Sequence, residues 1–363
     1  MSFEHLGEVK EGKEDFEAAQ TRGWAGAKEN YTLTEKDGGV LLEVDLDADD
    51  AFEGYFSNKF PQALAKVKEL AEVQTITPFL WFDNQAEAAA RLYASVFPNS
   101  KIQQVIRNGD AVLTVSFSLS GQQFTAMNGG PQFKLTPAIS LFAVCETEAE
   151  TDAVWKALSE GGEVLMPLDK YPWSEKYGFL NDRYGLSWQI YLGKLADVRQ
   201  RFSPSFLFTG ARQGRAEEAI HFYTSLFSNS SIRSILKNGA GESDPEGTVK
   251  HAEFYLNGQQ FMAMDSAAPH AFQFNEAFSF VIHCDTQEKI DYYWNALTAD
   301  GGEESQCGWL KDKFGVSWQV VPPVLMELLG SPDAVKSQRA MQAMMQMKKL
   351  DIAALKAAFE GAE

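Results

Sequence analysis

The feature that most constrains this chain is an internal repeat. GQQFTAM around residue 121 returns as GQQFMAM around residue 258, and GFLNDRYGLSWQ (Gly178 to Gln189) returns as GWLKDKFGVSWQ (Gly308 to Gln319). Other blocks follow in the same order: PFLWF at Pro78 with PSFLF at Pro204, RLYASVFPNSKI at Arg91 with HFYTSLFSNSSI at His221, SLFAVCET at Ser140 with SFVIHCDT at Ser279, and WKAL at Trp155 with WNAL at Trp294. A period of about 130 residues is too long for a solenoid and fits a duplicated domain. A chain of 363 residues is also too long for one ordinary core.

Each copy reads as α/β. Phe79 to Phe82 is a short apolar strand, and Ala86 to Phe97 carries Ala89, Leu92, Tyr93 and Val96 at helical spacing. Strand-like runs follow at Lys101 to Arg107, Ala111 to Leu119 and Gln122 to Met127, with a turn at Ser120-Gly121. The order recurs as a strand at Ala138 to Val144, a helix at Glu148 to Ser159 closed by Gly161-Gly162, and strands ending in Ser187 to Leu192. Each copy is therefore expected to be a pair of βαβββ modules, with a longer loop from Glu163 to Tyr177 in copy one and a Gly-rich insertion from Gly239 to Gly247 in copy two.

Paired modules with an xPxLxF opening strand and a DxxGxxWQ closing strand resemble the PhnB-like (3-demethylubiquinone methyltransferase-like) branch of the glyoxalase, or vicinal oxygen chelate, superfamily. The resemblance implies an α+β fold, with a cupped sheet, outer helices and a cavity between the two modules of a copy. It divides the chain into residues 74–194 and 195–325, and the Met-rich run from Arg339 is similar to the C-terminal extension of longer members, giving a helical tail over 326–363.

Residues 1–73 are unlike the repeats. Alternating runs at Tyr31 to Thr34 and Val40 to Leu46 flank Lys36-Asp37-Gly38-Gly39, a hairpin signal, and Phe56, Phe60, Leu64, Val67 and Leu70 mark an amphipathic helix with Pro61 near its first turn. With Gly-Trp-Ala-Gly at Gly23, they resemble half of a START-like (helix-grip) domain of the heat-shock ATPase activator type. Half a domain has an open strand edge, which the rest of the chain or a second subunit must cover. In the tail, Ser331 and Asp351 are the expected caps of two short helices whose methionines are expected to dock on the body of the chain, a partner surface being the alternative.

In metal-dependent members of the superfamily, ligands sit early in the first strand and late in the fourth strand of each module. The matching positions are Pro78, Met127 or Asn128, a residue between Ala138 and Ser140, and Gln189 in copy one, and Pro204, Met264 or Asp265, a residue between Phe278 and Ser279, and Gln319 in copy two, with Ser140 and Ser279 taken as the third contacts. Proline offers no donor and an amide is a poor substitute for a carboxylate, so no metal site and no cofactor are expected. None of His5, His221, His251, His270 and His283 occupies a matched position. The expected ligand contacts are these positions together with walls built by Leu80, Phe82 and Tyr191; Asp265 is the sole acidic candidate for catalysis. Trp188 and Trp318 should face the core if Gln189 and Gln319 face the cup, because strand neighbours point to opposite sides.

A formal charge of −18 argues against nucleic acid as a partner. No apolar h-region or membrane-length apolar run stands in the sequence, and Cys145, Cys284 and Cys307 are widely spaced, so a cytoplasmic, reducing location is expected. The chain has no Gly-rich strand-to-helix turn followed by an acidic ribose ligand, which argues against methyl transfer, and no P-loop, G-x-S-x-G or HExxH. Three readings stand: a metal-free binder of an apolar or aromatic small molecule, an isomerase or lyase with an atypical site, and a structural or assembly role. A tandem pair mimics the dimer of single-domain relatives, so internal pairing of the repeats is expected, and a homodimer is compatible with it.

Overall fold

The computed structural model describes residues 1–6, 8–10, 13–15, 26–36, 39–48, 53–71, 76–198 and 200–361. They form two compact units, Met1–Val73 and Gln74–Glu363.

In the first unit, β1 (Ser2–Glu4) pairs antiparallel with β4 (Lys28–Lys36), which pairs antiparallel with β5 (Gly39–Leu46); β2 (Glu8–Lys10) and β3 (Lys13–Asp15) form a separate ribbon. The expected hairpin is present, while its Asp37-Gly38 turn and Gly23 to Ala25 lie outside the described residues. Helix α1 (Glu53–Ala71) contains Pro61 in its interior rather than near its first turn. The apolar spacing begins only at Phe56, whereas the helix already starts at Glu53, and Pro61 costs it an interior hydrogen bond.

The second unit contains four βαβββ modules. The first is β6 (Ile76–Phe82), α2 (Ala86–Val96), β7 (Lys101–Asn108), β8 (Ala111–Leu119) and β9 (Gln122–Asn128). The second is β10 (Ile139–Cys145), α3 (Glu148–Ser159), β11 (Glu163–Tyr171), β12 (Ser174–Asn181) and β13 (Ser187–Leu192). After a short α4 (Leu195–Val198), the third is β14 (Phe202–Phe208), α5 (Ala216–Leu226), β15 (Ser231–Lys237), β16 (Val249–Leu256) and β17 (Gln259–Asp265). The fourth is β18 (Phe278–His283), α6 (Gln287–Thr298), β19 (Glu303–Glu304), β20 (Trp309–Lys311) and β21 (Ser317–Val321). The stretch expected as a loop from Glu163 is thus the β11–β12 hairpin, turning at Pro172-Trp173.

The modules pair across copies, not within them. Sheet I runs β11-β12-β13-β10-β14-β17-β16-β15 and sheet II runs β19-β20-β21-β18-β6-β9-β8-β7, so each eight-stranded sheet joins one module of each copy. The seams are antiparallel, with Ser140 opposite Ser205 in sheet I and Ser279 opposite Phe79 in sheet II. A cup between the two modules of one copy therefore does not form. Hydrophobic alternation fixes which face of a strand is buried, but β6 and β14 share the same burial pattern, so it cannot say which of them borders β10.

One continuous core joins both copies. Trp188 of β13 lies 5.2 Å from Tyr93 of α2, and Phe97 lies 4.7 Å from Phe202. In copy two, Trp318 lies 5.5 Å from Tyr223, and Phe206 lies 5.5 Å from Phe280. The helices and the inner faces of both sheets thus close over buried aromatic rings, worth about 1.5–3 kcal/mol for each large side chain removed from water. Paired residues in the GQQF blocks staple the sheets together. Gln122 accepts a bond from the Phe202 amide and donates to its carbonyl (2.8 and 2.9 Å), while Gln259 accepts from the Ile76 amide (2.7 Å). The turns ahead of these blocks use left-handed backbone, at Ser120-Gly121 (φ 46° and 85°) and Asn257-Gly258 (φ 50° and 75°), as a two-residue hairpin requires.

The tail holds three helices where two were expected: α7 (Val324–Leu329), α8 (Ala334–Gln346) and α9 (Ile352–Glu360). Asp351 caps α9 as expected, but α8 is capped by Asp333, which accepts from the Val335 and Lys336 amides, while Ser331 accepts from Asp333 N. A carboxylate with two amides in reach displaces the serine as cap. Leu325, Leu328, Ala340, Leu350 and Leu355 form a small core against which Met344 and Met347 pack. The tail also bonds to the fourth module, where Cys307 N and Gly308 N donate to the Met347 and Lys348 carbonyls (2.7 Å each).

Candidate functional site

The face of each sheet turned away from the helices is the candidate surface, and strand alternation decides what reaches it. In β13, Trp188 is fully buried and its indole donates to Asp182 (2.9 Å), so the next residue, Gln189, emerges on the opposite face. There Gln189 Nε2 donates to Ser140 Oγ (2.8 Å) and its Oε1 accepts from the Tyr177 hydroxyl (2.8 Å). Phe142 and Tyr191 lie alongside with ring centroids 5.2 Å apart. In β21, Trp318 donates to Asp312 (2.8 Å), and Gln319 donates to Ser279 Oγ (3.0 Å). Ser140 with Gln189 and Tyr191, and Ser279 with Gln319, are thus brought together on the outer faces of sheets I and II.

Other expected site residues lie elsewhere. Leu80 and Phe82 are core side chains, at 0% and 3% exposure, so they do not wall a cup. Pro78 and Pro204 are also buried, and with Phe124 and Phe261 they line a gap of about 10 Å³ between the sheets. The residues of β6 on the outer face are Thr77, Phe79 and Trp81; Phe79 and Trp81 lie 5.5 and 6.2 Å from Trp309. An uninterrupted apolar run such as PFLWF carries no alternation from which its phase could be read.

Asp265 and Asn128 are helix anchors. Helices α5 and α2 begin at Arg215 and Gln85, neither of which makes a side-chain cap bond. The missing cap comes from the neighbouring strand: Asp265 Oδ1 accepts from the Gly214 and Ala216 amides (2.7 and 3.2 Å), and Oδ2 accepts from Val249 N (2.9 Å). Asn128 likewise accepts from Ala86 N (2.8 Å) and donates to the Val112 carbonyl (3.0 Å). Burial raises the Asp265 carboxyl pKa, and the three amides oppose that shift. Both oxygens are engaged with backbone on the helix side, a geometry of capping rather than proton transfer.

Sequence reasoning missed Tyr177, Phe142 and the acid of the DxxGxxWQ block as working parts. Asp312 accepts from the Tyr223 hydroxyl (2.6 Å), the Trp318 indole and the Phe314 and Val316 amides, and Asp182 repeats the indole and turn-amide bonds. The motif therefore builds a turn and fixes the tryptophan that aims the following glutamine. Spacing of two residues from Ser140 and Phe179 along their strands would have found Phe142 and Tyr177.

Among the described residues no group of three or more His, Cys, Asp or Glu stands close enough to hold a metal ion. The central positions of both sheets present neutral hydroxyls and amides, with Gln189 and Gln319 bonded to Ser140 and Ser279. His283 approaches Thr77 Oγ1 at 3.1 Å, and burial lowers its pKa.

No curated protein matches the chain. Among solved structures, a Bacillus cereus PhnB protein described in terms of 3-demethylubiquinone-9 3-methyltransferase is 42% identical, covering 33% of this chain and 100% of its own, with a TM-score of 0.32. Glyoxalase I from Zea mays is 10% identical over 72% of this chain and 96% of its own, with a TM-score of 0.49. The sequence pattern of the family described as 3-demethylubiquinone-9 3-methyltransferase matches residues 74–191 and again residues 200–321. With two copies of that pattern, each spanning a pair of βαβββ modules, the chain belongs to this PhnB-like family.

Proposed function

We propose that the chain is a small-molecule-binding protein whose ligand lies on the outer face of sheet I and is held without a divalent metal. The observation that carries this reading is the Ser140–Gln189–Tyr177 network, which sets a fixed, neutral hydrogen-bonding group beside the Phe142 and Tyr191 rings. Few polar groups placed within an apolar wall are what orients an apolar or aromatic ligand. The isomerase or lyase alternative draws no support from Asp265, whose carboxylate is bonded to backbone amides. Methyl transfer, which the family's description names, draws none from the sequence, which has no Gly-rich cofactor turn. The buried Cys145 and Cys284 thiols fit a reducing, cytoplasmic setting, and no helix among the described residues is long and apolar enough to cross a membrane.

We keep the START-like reading of the first unit within the same proposal, as a partial domain that needs a partner surface. Native mass spectrometry of freshly purified full chain and of residues 74–363 tests both. The expected result is a retained organic ligand, absent from the Gln189→Leu variant, and altered assembly on truncation. Stoichiometric Zn, Ni, Fe or Mn in place of the ligand overturns the metal-free reading.

A further inference from the structure

In copy one a tight turn at Gly109-Asp110 joins β7 to β8, whereas in copy two residues 238–248 stand between β15 and β16. That segment walls a cavity of about 500 Å³ at the edge of the sheet I face, with Leu207 and Met264 as floor and Glu242, Asp244, Lys250 and His270 around the rim. The wall is tied down: Asp244 Oδ1 accepts from Ala267 N (2.6 Å), Gly247 N donates to the Asn238 carbonyl (2.9 Å), and Lys250 Nζ contacts both Glu242 oxygens at 2.9 Å.

The matching place in copy one is filled. Trp81 stands where copy two has Leu207, and Gly129 stands where it has Ser266. The indole covers Gly129 so closely that a Cβ there would fall 2.2 Å from the ring, and its Nε1 donates to the Gly130 carbonyl (2.8 Å). Three matched differences, namely a smaller floor residue, a side chain where the plug needs glycine, and an added wall, open one site and close the other. The open volume falls within the ligand-site range of roughly 300–1,000 Å³.

The lining states the ligand's chemistry. The charge of Lys250 is matched by Glu242, which leaves Asp244 on the rim, with Asp265 behind it in the lining held by backbone amides, above Leu207 and Met264 on a chain of formal charge −18. We infer that this cavity binds a small amphipathic amine, its ammonium group at Asp244 and its hydrocarbon on Leu207 and Met264. The inference rests on the reading of sheet I as a ligand-binding face and names the ligand class.

The test is calorimetric titration of the full chain with three probes of one shape: phenethylamine, phenethyl alcohol and 3-phenylpropionate. The amine is expected to bind about tenfold more tightly than the alcohol, roughly one charge-assisted contact, with the anion weakest. Asp244→Asn should erase the preference for the amine and leave the alcohol unchanged. Leu207→Trp with Ser266→Gly, which rebuilds the copy-one plug, should abolish binding of all three, with a urea transition confirming the fold. Equal binding of the three probes, or amine binding that survives both variants, overturns the assignment. If the plugged variant still retains an organic ligand by native mass spectrometry while the wild-type chain does not bind the amine, this inference fails and the broader reading stands.

Discussion

The outer faces of the two sheets derive from the same repeated strands, yet one is filled and the other is left with room. On sheet II, Phe79, Trp81 and Trp309 lean together over the seam. Their counterparts by repeat on sheet I are Ser205, Leu207 and Phe179. On the inner faces Tyr93 and Tyr223, Phe124 and Phe261, Trp188 and Trp318 recur in equivalent contacts, as do the Gln122 and Gln259 staples, while the strand residues between them are repacked, with Phe206 and Phe280 in the places of Leu80 and Leu141. The inner changes exchange one apolar side chain for another and keep the core closed, whereas the outer changes at Phe79/Ser205 and Trp81/Leu207 alter how much of the surface is covered.

That comparison is broken most severely by separating the copies. Residues 74–194 alone hold half of each sheet and leave the seam edges of β6 and β10 unpaired. The fragment is expected to be a dimer that restores both sheets, or to aggregate, when its mass is measured by light scattering; a stable monomer would show that the seams are dispensable. A smaller effect is expected at the plug. Gly129→Ser sets a side chain against the Trp81 ring and should cost about 1–3 kcal/mol in urea unfolding, a cost largely removed by Trp81→Leu in the same chain. If the two changes are simply additive, the plug is not the reason for the glycine.

The smallest effect concerns the first turns of the helices. Glu87 is held by Arg91 and Arg107 (2.6 Å each), whereas its counterpart Glu217 meets Lys237 (2.7 Å) and has His221 in the place of Arg91. Bonds from Arg91 and then Arg107 depress the Glu87 pKa. A depressed carboxyl contributes stability above its unfolded value and loses it as pH falls through its folded value. Arg107→Ala should therefore move the Glu87 midpoint, followed by carboxyl NMR, back toward that of an ordinary glutamate while stability at neutral pH hardly changes, since such surface pairs are weak.

Much of this was legible in the residues. The repeat gave the modules, and Trp-Gln at the close of each copy gave the two faces of its last strand. The phase of β6 was not legible, because every residue from Pro78 to Phe82 is apolar and either face could be the buried one. Asn128 and Asp265 were misplaced for a different reason. Phe124, Ala126 and Asn128 alternate onto one face, and following that alternation to the end of the strand puts the polar residue under the helix, not in the cup. The partner of each seam strand lay beyond reach, since β6 and β14 offer the same backbone edge and a similarly apolar run to any neighbour.

The exchanged seams also set a timetable for the chain as it emerges. Ile76 pairs with Ile282, so the first strand of the second unit cannot complete its hydrogen bonding until more than half of the protein has followed it. Its one early neighbour, β9, can form a half sheet while its other edge waits, exposed, for β18. Such long-range closure folds slowly and leaves sticky intermediates. Joining the two copies in one chain keeps the awaited strand tethered nearby, so that the search becomes independent of protein concentration.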